Sequence, residues 1–370
     1  MSDKTGIAWT NATWNPITGC TKVSQGCKYC YAEREWGRLS ANPKATTYHG
    51  RAFTDVACHP ERLDQPLRWK KPRMIFVNSM SDLFHETVPD AFIDNVFAVM
   101  ALSPRHIFQV LTKRPGRMRD WFAPGYDNRE HEVGQAMREI AAARGSDDAG
   151  LPEWPLPNVW LGVSVEDQPS ADARIPVLLQ TPAAVRWVSA EPLLGPINLE
   201  EVPVGMLGPL RPYGGSGSDT PRLDWVVAGG ESGPKTRPTH PDWVEDLQSE
   251  CEEAGIPYFF KQWGEWLPVN QMTETELDKL HRSNRIAKDG EDQGAIDEVF
   301  GTYCTVPTTI VGTDGVCLAV TDPIAFQPGR GGMTTFRVGV HKAGCKLNGK
   351  GWHEWPAGWN REEFDGRQQR

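Results

Sequence analysis

The stretch Val159-Trp-Leu-Gly-Val-Ser-Val165-Glu166-Asp167 contains both parts of the pattern from which the fold can be inferred. It is a short apolar run, rich in β-branched and aromatic residues, that ends in charged side chains. Runs that are apolar throughout are expected of strands buried on both faces of a parallel sheet. The same composition recurs at Met74–Asn78, Ile107–Thr112, Val185–Ala190, Trp225–Gly229 and Ile256–Lys261.

Helical patterns lie between several of these runs. Apolar residues recur at helical spacing in Ala91–Leu102 and Trp243–Ala254, and a third helix is predicted over Arg129–Arg144. Alternating strands and helices predict an α/β protein, and their number predicts a partial (β/α) barrel of the TIM type. The stretch Val202–Arg222 is rich in Gly, Pro and Ser, which predicts a flexible loop.

The strand and helix alternation ends after Trp266. We therefore predict two parts, a barrel over residues 1–266 and a small α+β appendage over residues 267–370. The features of the appendage are a polar helical stretch at Thr273–Arg285, β-like runs at Thr308–Val311, Val316–Val320 and Thr334–Val340, and a tryptophan-rich end at Trp352, Trp355 and Trp359.

Composition excludes several classes of protein. Lys and Arg number 39 and Asp and Glu 48, a net charge of −9, which argues against a protein that coats nucleic acid through bulk charge but allows a local basic groove. Hydrophobic residues at 39% argue against wholesale disorder. The first residues lack the apolar core of a signal peptide, and no apolar run reaches the roughly 18 residues of a membrane helix. The sequence thus predicts a cytoplasmic protein that has no membrane partner.

Polar side chains follow nearly every predicted strand. In a β/α barrel the carboxyl ends of the strands converge on one face, where active sites are built. A set of polar residues at six successive exits favours one shared pocket over the alternative, in which each is simply part of a polar loop. These strand-exit candidates are Asn78, Ser79, Asp82, Lys113, Glu166, Glu191, Glu231 and Lys261.

Three of the eight cysteines form a cluster, Gly19-Cys20-Thr-Lys-Val-Ser-Gln-Gly-Cys27-Lys-Tyr-Cys30. A closed zinc site needs four protein ligands, and no matching second cysteine pair is present. Three thiolates in one loop suit a [4Fe–4S] cluster in which one iron has no protein ligand. Two alternatives stay open: a zinc ion completed by a distant ligand, or a redox or packing role. The nearest further ligands for zinc are His49, Cys58 and His59.

Several stretches together resemble the radical S-adenosylmethionine superfamily, and in particular a phage-associated branch with an expanded three-cysteine motif. The resemblance covers about residues 5–266. The matching stretches are Trp14–Cys20, the cluster through Cys30-Tyr-Ala-Glu33, Val77–His85, Gln109–Pro115, Trp160–Glu166, Ser189–Gly195, Gly229–Gly233 and Phe260–Gly264.

The resemblance implies a partial barrel of the radical S-adenosylmethionine type. In that fold the thiolates of Cys20, Cys27 and Cys30 hold the [4Fe–4S] cluster, and S-adenosylmethionine chelates the fourth iron. An electron from an external donor then cleaves S-adenosylmethionine to a 5′-deoxyadenosyl radical, which abstracts hydrogen from a substrate. One departure concerns the cysteine spacing, which is six and then two residues here, whereas three and then two is commonest in the superfamily.

A second departure concerns the superfamily's Gly-Gly-Glu motif, which contacts the methionine amino group and normally follows the second strand. Gly229-Gly-Glu231 follows a late strand instead. The cofactor-binding residues expected from the resemblance are therefore Asn78, Ser79 and Asp82 as acceptors for the ammonium group, with Lys113 and Glu231. Glu166, Glu191 and Lys261 are the expected catalytic residues, which would position substrate or move protons. For each of them the alternative is a structural ion pair.

The resemblance also suggests a substrate. Phages hypermodify thymine in their DNA to evade host restriction, so the expected activity is an isomerisation of an amino-acid-modified thymidine in phage DNA, within the host cytoplasm. The Trp-rich tail and the basic stretch Arg68–Arg73 are candidate DNA contacts, although such tails more often pack in a core. The alternatives are a radical enzyme that acts on a small metabolite and a non-catalytic, zinc-stabilised nucleic-acid-binding protein.

Overall fold

The computed structural model describes residues 5–123, 126–146, 150–204, 209–210 and 221–356. Its centre is a seven-stranded parallel sheet that curls into a half-barrel, with neighbouring strands in chain order. The strands are β1 (Ala12–Trp14), β2 (Met74–Val77), β3 (Ile107–Thr112), β4 (Val159–Val165), β5 (Val185–Ala190), β6 (Trp225–Gly229) and β7 (Tyr258–Gln262). The prediction of a partial β/α barrel is confirmed at this level. The sequence reading missed β1, because three residues are too few to show a periodic pattern.

Helices connect the strands and cover the convex face of the sheet. Pro89 immediately precedes the helix Asp90–Ala101, and Gly255, in the left-handed conformation at φ 65°, ends the helix Pro241–Ala254. The three helices predicted from the sequence are confirmed, with small shifts of their ends. The main helices are α1 (Tyr31–Ser40), α2 (Asp90–Ala101), α3 (Pro115–Phe122), α4 (Tyr126–Ala143), α5 (Gln168–Leu179) and α6 (Pro241–Ala254).

Tryptophans fill the concave side of the half-barrel. Alternate residues of a strand point to opposite faces, so Val159, Leu161 and Val163 pack against the helices while Trp160 faces inward. Trp187 lies at the centre of the inward cluster, with its ring centroid 5.3 Å from those of both Trp9 and Trp225.

Gly162 makes room for this central ring. A Cβ atom there would lie 2.5 Å from the ring of Trp187. The inward face is thus closed by aromatic packing near the amino ends of the strands.

The chain after Trp263 forms small sheets that pack on the half-barrel. An antiparallel sheet contains Trp266–Pro268, Met333–Arg337, Thr308–Val311 and Cys317–Leu318, in that order. Two-stranded pairs are formed by His281–Ser283 with Thr302–Cys304, by Lys346–Leu347 with Lys350–Gly351 and, near the N-terminus, by Ile17–Thr18 with Ala57–Cys58. The short helices are Gln65–Arg68, Glu274–Asp278, Gln293–Phe300 and Val340–Ala343, and the 3-10 turns are Gln25–Cys27, Pro60–Arg62 and Val269–Gln271. The division at residue 266 stays a prediction.

The predicted helix over Thr273–Arg285 is wrong in its second half. A capping box between Thr273 and Glu276 starts the helix, which ends at Asp278. The following residues pair as a strand instead, because this polar stretch has no apolar face to bury as a helix.

Two further predictions extend beyond the described residues. Most of the loop Val202–Arg222 and all of Trp359 lie outside them. Over the described ranges, no helix combines the length with the apolar character required to cross a membrane.

Candidate functional site

One cavity lies at the carboxyl edge of the half-barrel and encloses about 700 Å³ of space that opens to solvent. We call it the cysteine cavity, because the side chains of all three clustered cysteines line it. The strand-exit candidates in its lining are Asn78, Ser79, Asp82 and Lys113, together with Arg114 and Ser164. Glu166, Glu191, Glu231 and Lys261 lie outside the lining.

The cysteines are held in a loop, residues 19–30, that we call the cysteine loop. Gly19 begins it at φ 90°, and a Cβ atom there would lie 2.5 Å from the carbonyl oxygen of Asp55, so no other residue fits without displacement. Cys27 ends a 3-10 turn. Cys30 immediately precedes α1, so its sulfur lies near the amides of the first turn of that helix. The fold thus directs all three sulfurs to one cavity.

Cys20 and Cys30 sit in an environment that favours the protonated thiol. Burial, and then the charge of Asp82, raise the pKa of Cys20 to about 12, while Arg114 acts in the opposite direction. Burial also raises the pKa of Cys30, against the effect of the helix amides. Since the ligand is the thiolate, a bound metal must displace these protons.

Three thiols lining one cavity are the donor set that a [4Fe–4S] cluster with one open iron would use. In the part of the chain that the structure describes, no three His, Cys, Asp or Glu side chains are arranged to hold one metal ion. A tetrahedral zinc site would bring its sulfurs within about 4 Å of one another. A [4Fe–4S] cluster binds each thiolate through a different iron, so its sulfurs stand farther apart.

The zinc ligands suggested by the sequence are directed elsewhere. His59 Nε2 hydrogen-bonds Thr18 Oγ1 at 2.7 Å, and His49 Nδ1 hydrogen-bonds the Ser40 carbonyl oxygen at 3.0 Å. Cys58 pairs with Ile17 in the short N-terminal sheet. None of the three lines the cysteine cavity.

Arg114, which follows β3, holds the start of the cysteine loop. Its guanidinium donates to the carbonyl oxygen and the hydroxyl of Thr21 at 3.1 and 2.9 Å, and lies 3.7 Å from the sulfur of Cys20. Asp82 at 3.2 Å and Glu86 at 2.8 Å balance its charge. The oxygens of Asp82 also accept from Phe84 N, Thr112 Oγ1 and Lys113 N. Asp82 is thus committed to this network.

Glu166, at the exit of β4, holds the middle of the loop. Its carboxylate is 1% exposed, accepts from Ser24 Oγ at 2.8 Å, and pairs with Lys113 Nζ and with Arg174 Nη1 at 3.1 Å. Burial raises the pKa of Glu166, but Lys113, Arg174 and Ser24 together outweigh it, so the pKa is lowered and the group is ionised. A Cβ atom on Gly26 would lie 2.5 Å from this carboxylate. The loop therefore packs directly on Glu166.

Glu231, after β6, holds the end of the loop through Arg237. The two side chains pair at 2.6 and 3.0 Å. Arg237 also donates to the Gln25 carbonyl oxygen at 3.1 Å and stacks over the Tyr29 ring at 5.3 Å. Arg237 thus donates to both carboxylate oxygens of Glu231, so Glu231 supports the cysteine loop through Arg237 in this structure.

Glu191 and Lys261 pair with each other at 2.9 Å across the strand between them. That strand is β6, and its Gly229 leaves the space, since a Cβ atom there would lie 2.8 Å from Glu191 Oε1. Ser189 Oγ donates to the other oxygen at 3.2 Å. The Glu191 carboxylate accepts fewer hydrogen bonds than those of Glu166 and Glu231.

The other two cofactor-binding candidates, Ser79 and Asn78, already form hydrogen bonds within the protein. Ser79 Oγ exchanges hydrogen bonds with the side chain of Asn15 at 3.1 and 3.2 Å. Asn78 uses its Oδ1 atom to accept from Ile17 N at 3.3 Å. The expected role of these two as acceptors for an ammonium group stays a prediction, and both acceptors already have partners.

The sequence did not single out three of the residues that fasten the loop, Ser24, Arg174 and Arg237. Ser24 and Arg237 lie in loops and Arg174 in a helix, positions at which polar residues are ordinary. Arg114 differs from them, because it directly follows Lys113 at a strand exit and is there a candidate to hold a carboxylate or phosphate. The others become recognisable only when the fold brings them to the cysteine loop.

The proposed DNA contacts lie away from the cavity. The stretch Arg68–Arg73 precedes β2, so it is at the amino edge of the sheet, and Arg73 stacks over Trp69 at 4.8 Å. Trp355 packs on Phe259 at 5.1 Å, beneath the inward tryptophans. The described part of the tail therefore has a packing role.

Fold and site define a parallel β/α half-barrel protein with a cysteine-lined cavity at its carboxyl edge. A family model described as a protein of unknown function (DUF5131) matches residues 4–356, and the chain belongs to that family. Comparison with curated proteins and with solved structures finds no match.

Proposed function

We propose that the protein is a radical S-adenosylmethionine enzyme. The observation that carries the proposal is the convergence of Cys20, Cys27 and Cys30 on one cavity at the carboxyl edge of a parallel half-barrel. No fourth cysteine and no histidine is among the described residues that line it. This donor set matches a [4Fe–4S] cluster with one open iron, which would supply the electron that cleaves S-adenosylmethionine.

The surrounding residues have two roles in this proposal. Arg114, Glu166 and Arg237 hold the start, middle and end of the cysteine loop, and so fix the positions of the three sulfurs. The pair of Glu191 and Lys261 is the best candidate for contact with substrate. Its carboxylate has few partners, and Lys261 Nζ lies 2.9 Å from it.

Anaerobic reconstitution with iron and sulfide tests the proposal. The reduced protein is incubated with S-adenosylmethionine, and 5′-deoxyadenosine is measured by mass spectrometry. The Cys20→Ala/Cys27→Ala/Cys30→Ala variant should bind no cluster and form no product. The matched control is Cys304→Ala/Cys317→Ala/Cys345→Ala, which removes three free thiols that do not line the cavity and should behave as wild type. Zinc in place of iron, with no cleavage, would overturn the proposal.

The proposed substrate is an amino-acid-modified thymidine in phage DNA, which the enzyme would isomerise. This part rests on the sequence resemblance. The assay is incubation of hypermodified phage DNA with the reduced enzyme, followed by nuclease digestion and mass spectrometry of the nucleosides. An isomer of unchanged mass but altered retention is expected. Cleavage of S-adenosylmethionine without any change in the DNA would favour the small-metabolite alternative.

A further inference from the structure

Asn78 lies where β2 ends and carries a polar atom that no described residue satisfies. Its Nδ2 atom is buried and has no hydrogen-bond partner. The side chain as a whole is 3% exposed and belongs to the lining of the cysteine cavity. A buried amide donor without a partner costs about 1–3 kcal/mol, so such groups are rare unless a ligand satisfies them.

The surrounding hydrogen bonds establish which end of the amide is free. Oδ1 accepts from the backbone N–H of Ile17 at 3.3 Å, and only the oxygen can accept from that donor. The backbone of Asn78 is also satisfied, since its N–H donates to Trp14 and its carbonyl accepts from Ser81. The atom left for a ligand is therefore the NH2 group, a donor.

Backbone geometry alone does not explain an asparagine here. Asn78 has φ 60°, in the left-handed region that Asn tolerates and Gly prefers. A glycine would satisfy the turn but would leave the Ile17 N–H without its Oδ1 acceptor. That hydrogen bond accounts for the amide oxygen, whereas the buried NH2 group has no partner among the described residues and points to a ligand in the cavity.

The charge of the cavity indicates the class of ligand. Lys22, Lys113 and Arg114 line it with one carboxylate, Asp82. Each cation is paired, Arg114 with Asp82, and Lys22 and Lys113 with Glu33 and Glu166 outside the lining. Cations and an unused N–H donor favour a negatively charged acceptor. Within the proposed function, on which this inference rests, the acceptors are a sulfur of the cluster or the carboxylate of S-adenosylmethionine.

We infer that the side-chain amide of Asn78 donates a hydrogen bond to the anionic group that occupies the cysteine cavity. Hydrogen bonds to the sulfurs raise the reduction potential of an iron–sulfur cluster. A hydrogen bond to the carboxylate would instead strengthen binding of S-adenosylmethionine. The two acceptors therefore have separate readouts, neither of which is turnover.

The test compares Asn78→Gly and Asn78→Asp with wild type after anaerobic reconstitution. Both variants suit the left-handed backbone and both remove the donor. Asn78→Asp keeps an oxygen acceptor for the Ile17 N–H and adds charge, whereas Asn78→Gly removes that acceptor and adds no charge. The control is Asn348→Gly, because Asn348 also has a positive φ, 51°, and lies in the C-terminal hairpin outside the cavity lining. The midpoint potential is measured by electron paramagnetic resonance without S-adenosylmethionine. Affinity for S-adenosylmethionine is measured on the unreduced protein.

A more negative potential in both Asn78 variants supports a sulfur acceptor. An unchanged potential with about tenfold weaker binding of S-adenosylmethionine supports a carboxylate acceptor. Clusters that assemble in Asn78→Gly with wild-type potential and wild-type affinity would overturn the inference and leave the proposed function standing. If the wild-type protein assembles no cluster, the proposed function and the inference fail together.

Discussion

The two ends of the half-barrel are built from opposite kinds of interaction. Near the amino ends of the strands the concave face is closed by tryptophan rings, with Trp187 in contact with its neighbours on both sides. At the carboxyl ends the same face is lined by ion pairs, and three of these reach the cysteine loop. Within a single strand, β4, the inward-facing residues change from Trp160 at the amino end, to Gly162, to Ser164 at the carboxyl end.

Because of this difference, the amino end of the half-barrel mainly stabilises the fold, and the carboxyl end mainly positions the cysteine loop. Burial of large aromatic rings contributes most to the free energy of folding, because it removes apolar surface from water. Buried ion pairs contribute little net stability, since the cost of desolvation offsets the attraction. Their geometry is directional, however, and it determines where the attached loop lies. We therefore expect changes at one end to lower stability and changes at the other to displace the cysteines.

Trp187→Ala should have the largest effect on stability. It removes a fully buried ring from the centre of the aromatic cluster, so the free energy of unfolding should fall by about 4 kcal/mol. Urea unfolding measures this loss. Below the unfolding transition, iron content after reconstitution should match wild type. A variant that keeps its stability but loses iron would contradict the separation of roles.

Arg114→Gln should have the next largest effect and should act on both properties. It leaves Asp82 buried without its cation, which should cost about 3 kcal/mol, and it releases Thr21 from the loop anchor. Urea unfolding and iron content are the measurements. The double variant Asp82→Asn/Arg114→Gln should recover part of the stability but none of the iron. Recovery of both would mean that Arg114 does not hold the loop.

Gly162→Ala should cost about 2 kcal/mol, because the new methyl group overlaps the ring of Trp187. The same substitution in a Trp187→Phe background should cost less, since the smaller ring leaves room. A double-mutant cycle in urea measures this coupling. Equal costs in the two backgrounds would show that the ring is not what excludes a side chain at this position.

Most of the fold could be predicted from the sequence. The strands at Ile107, Val159, Val185 and Trp225 have the predicted bounds, because they are buried on both faces and therefore apolar throughout. The short first strand and the polar segment after Asp278 were missed or misassigned. In both cases pairing with a distant strand, and not a local pattern, determines the structure.

The site was less accessible to prediction. Because the carboxyl ends of the strands converge on one face, the sequence could predict that Asn78, Asp82 and Lys113 lie close together. In the structure they line one cavity with the cysteines. It could not assign partners, because ion pairs such as that of Glu231 with Arg237 depend on how loops pack. Which end of the Asn78 side-chain amide is left free also depends on a distant contact, the hydrogen bond from the Ile17 N–H to Oδ1. No spacing in the sequence encodes that contact.

Gly26→Ala should have the smallest effect on stability and still disturb the site. Its Cβ atom would lie 2.5 Å from Glu166, whose carboxylate is held by Lys113 and Arg174 and cannot move aside. The cysteine loop is half-exposed, so it should move outward at a cost below about 0.5 kcal/mol.

Displacement of the loop takes Cys27 away from the cavity, so the iron and sulfide content after reconstitution should fall clearly below that of wild type. The matched control is Gly37→Ala in α1, where a Cβ atom meets nothing within 4 Å. It should raise stability by up to about 1 kcal/mol, because alanine favours the helix, and leave iron content unchanged. Wild-type iron content in Gly26→Ala would show that packing on Glu166 is not what positions the loop. The carboxyl end of the half-barrel would then differ from the amino end in composition alone.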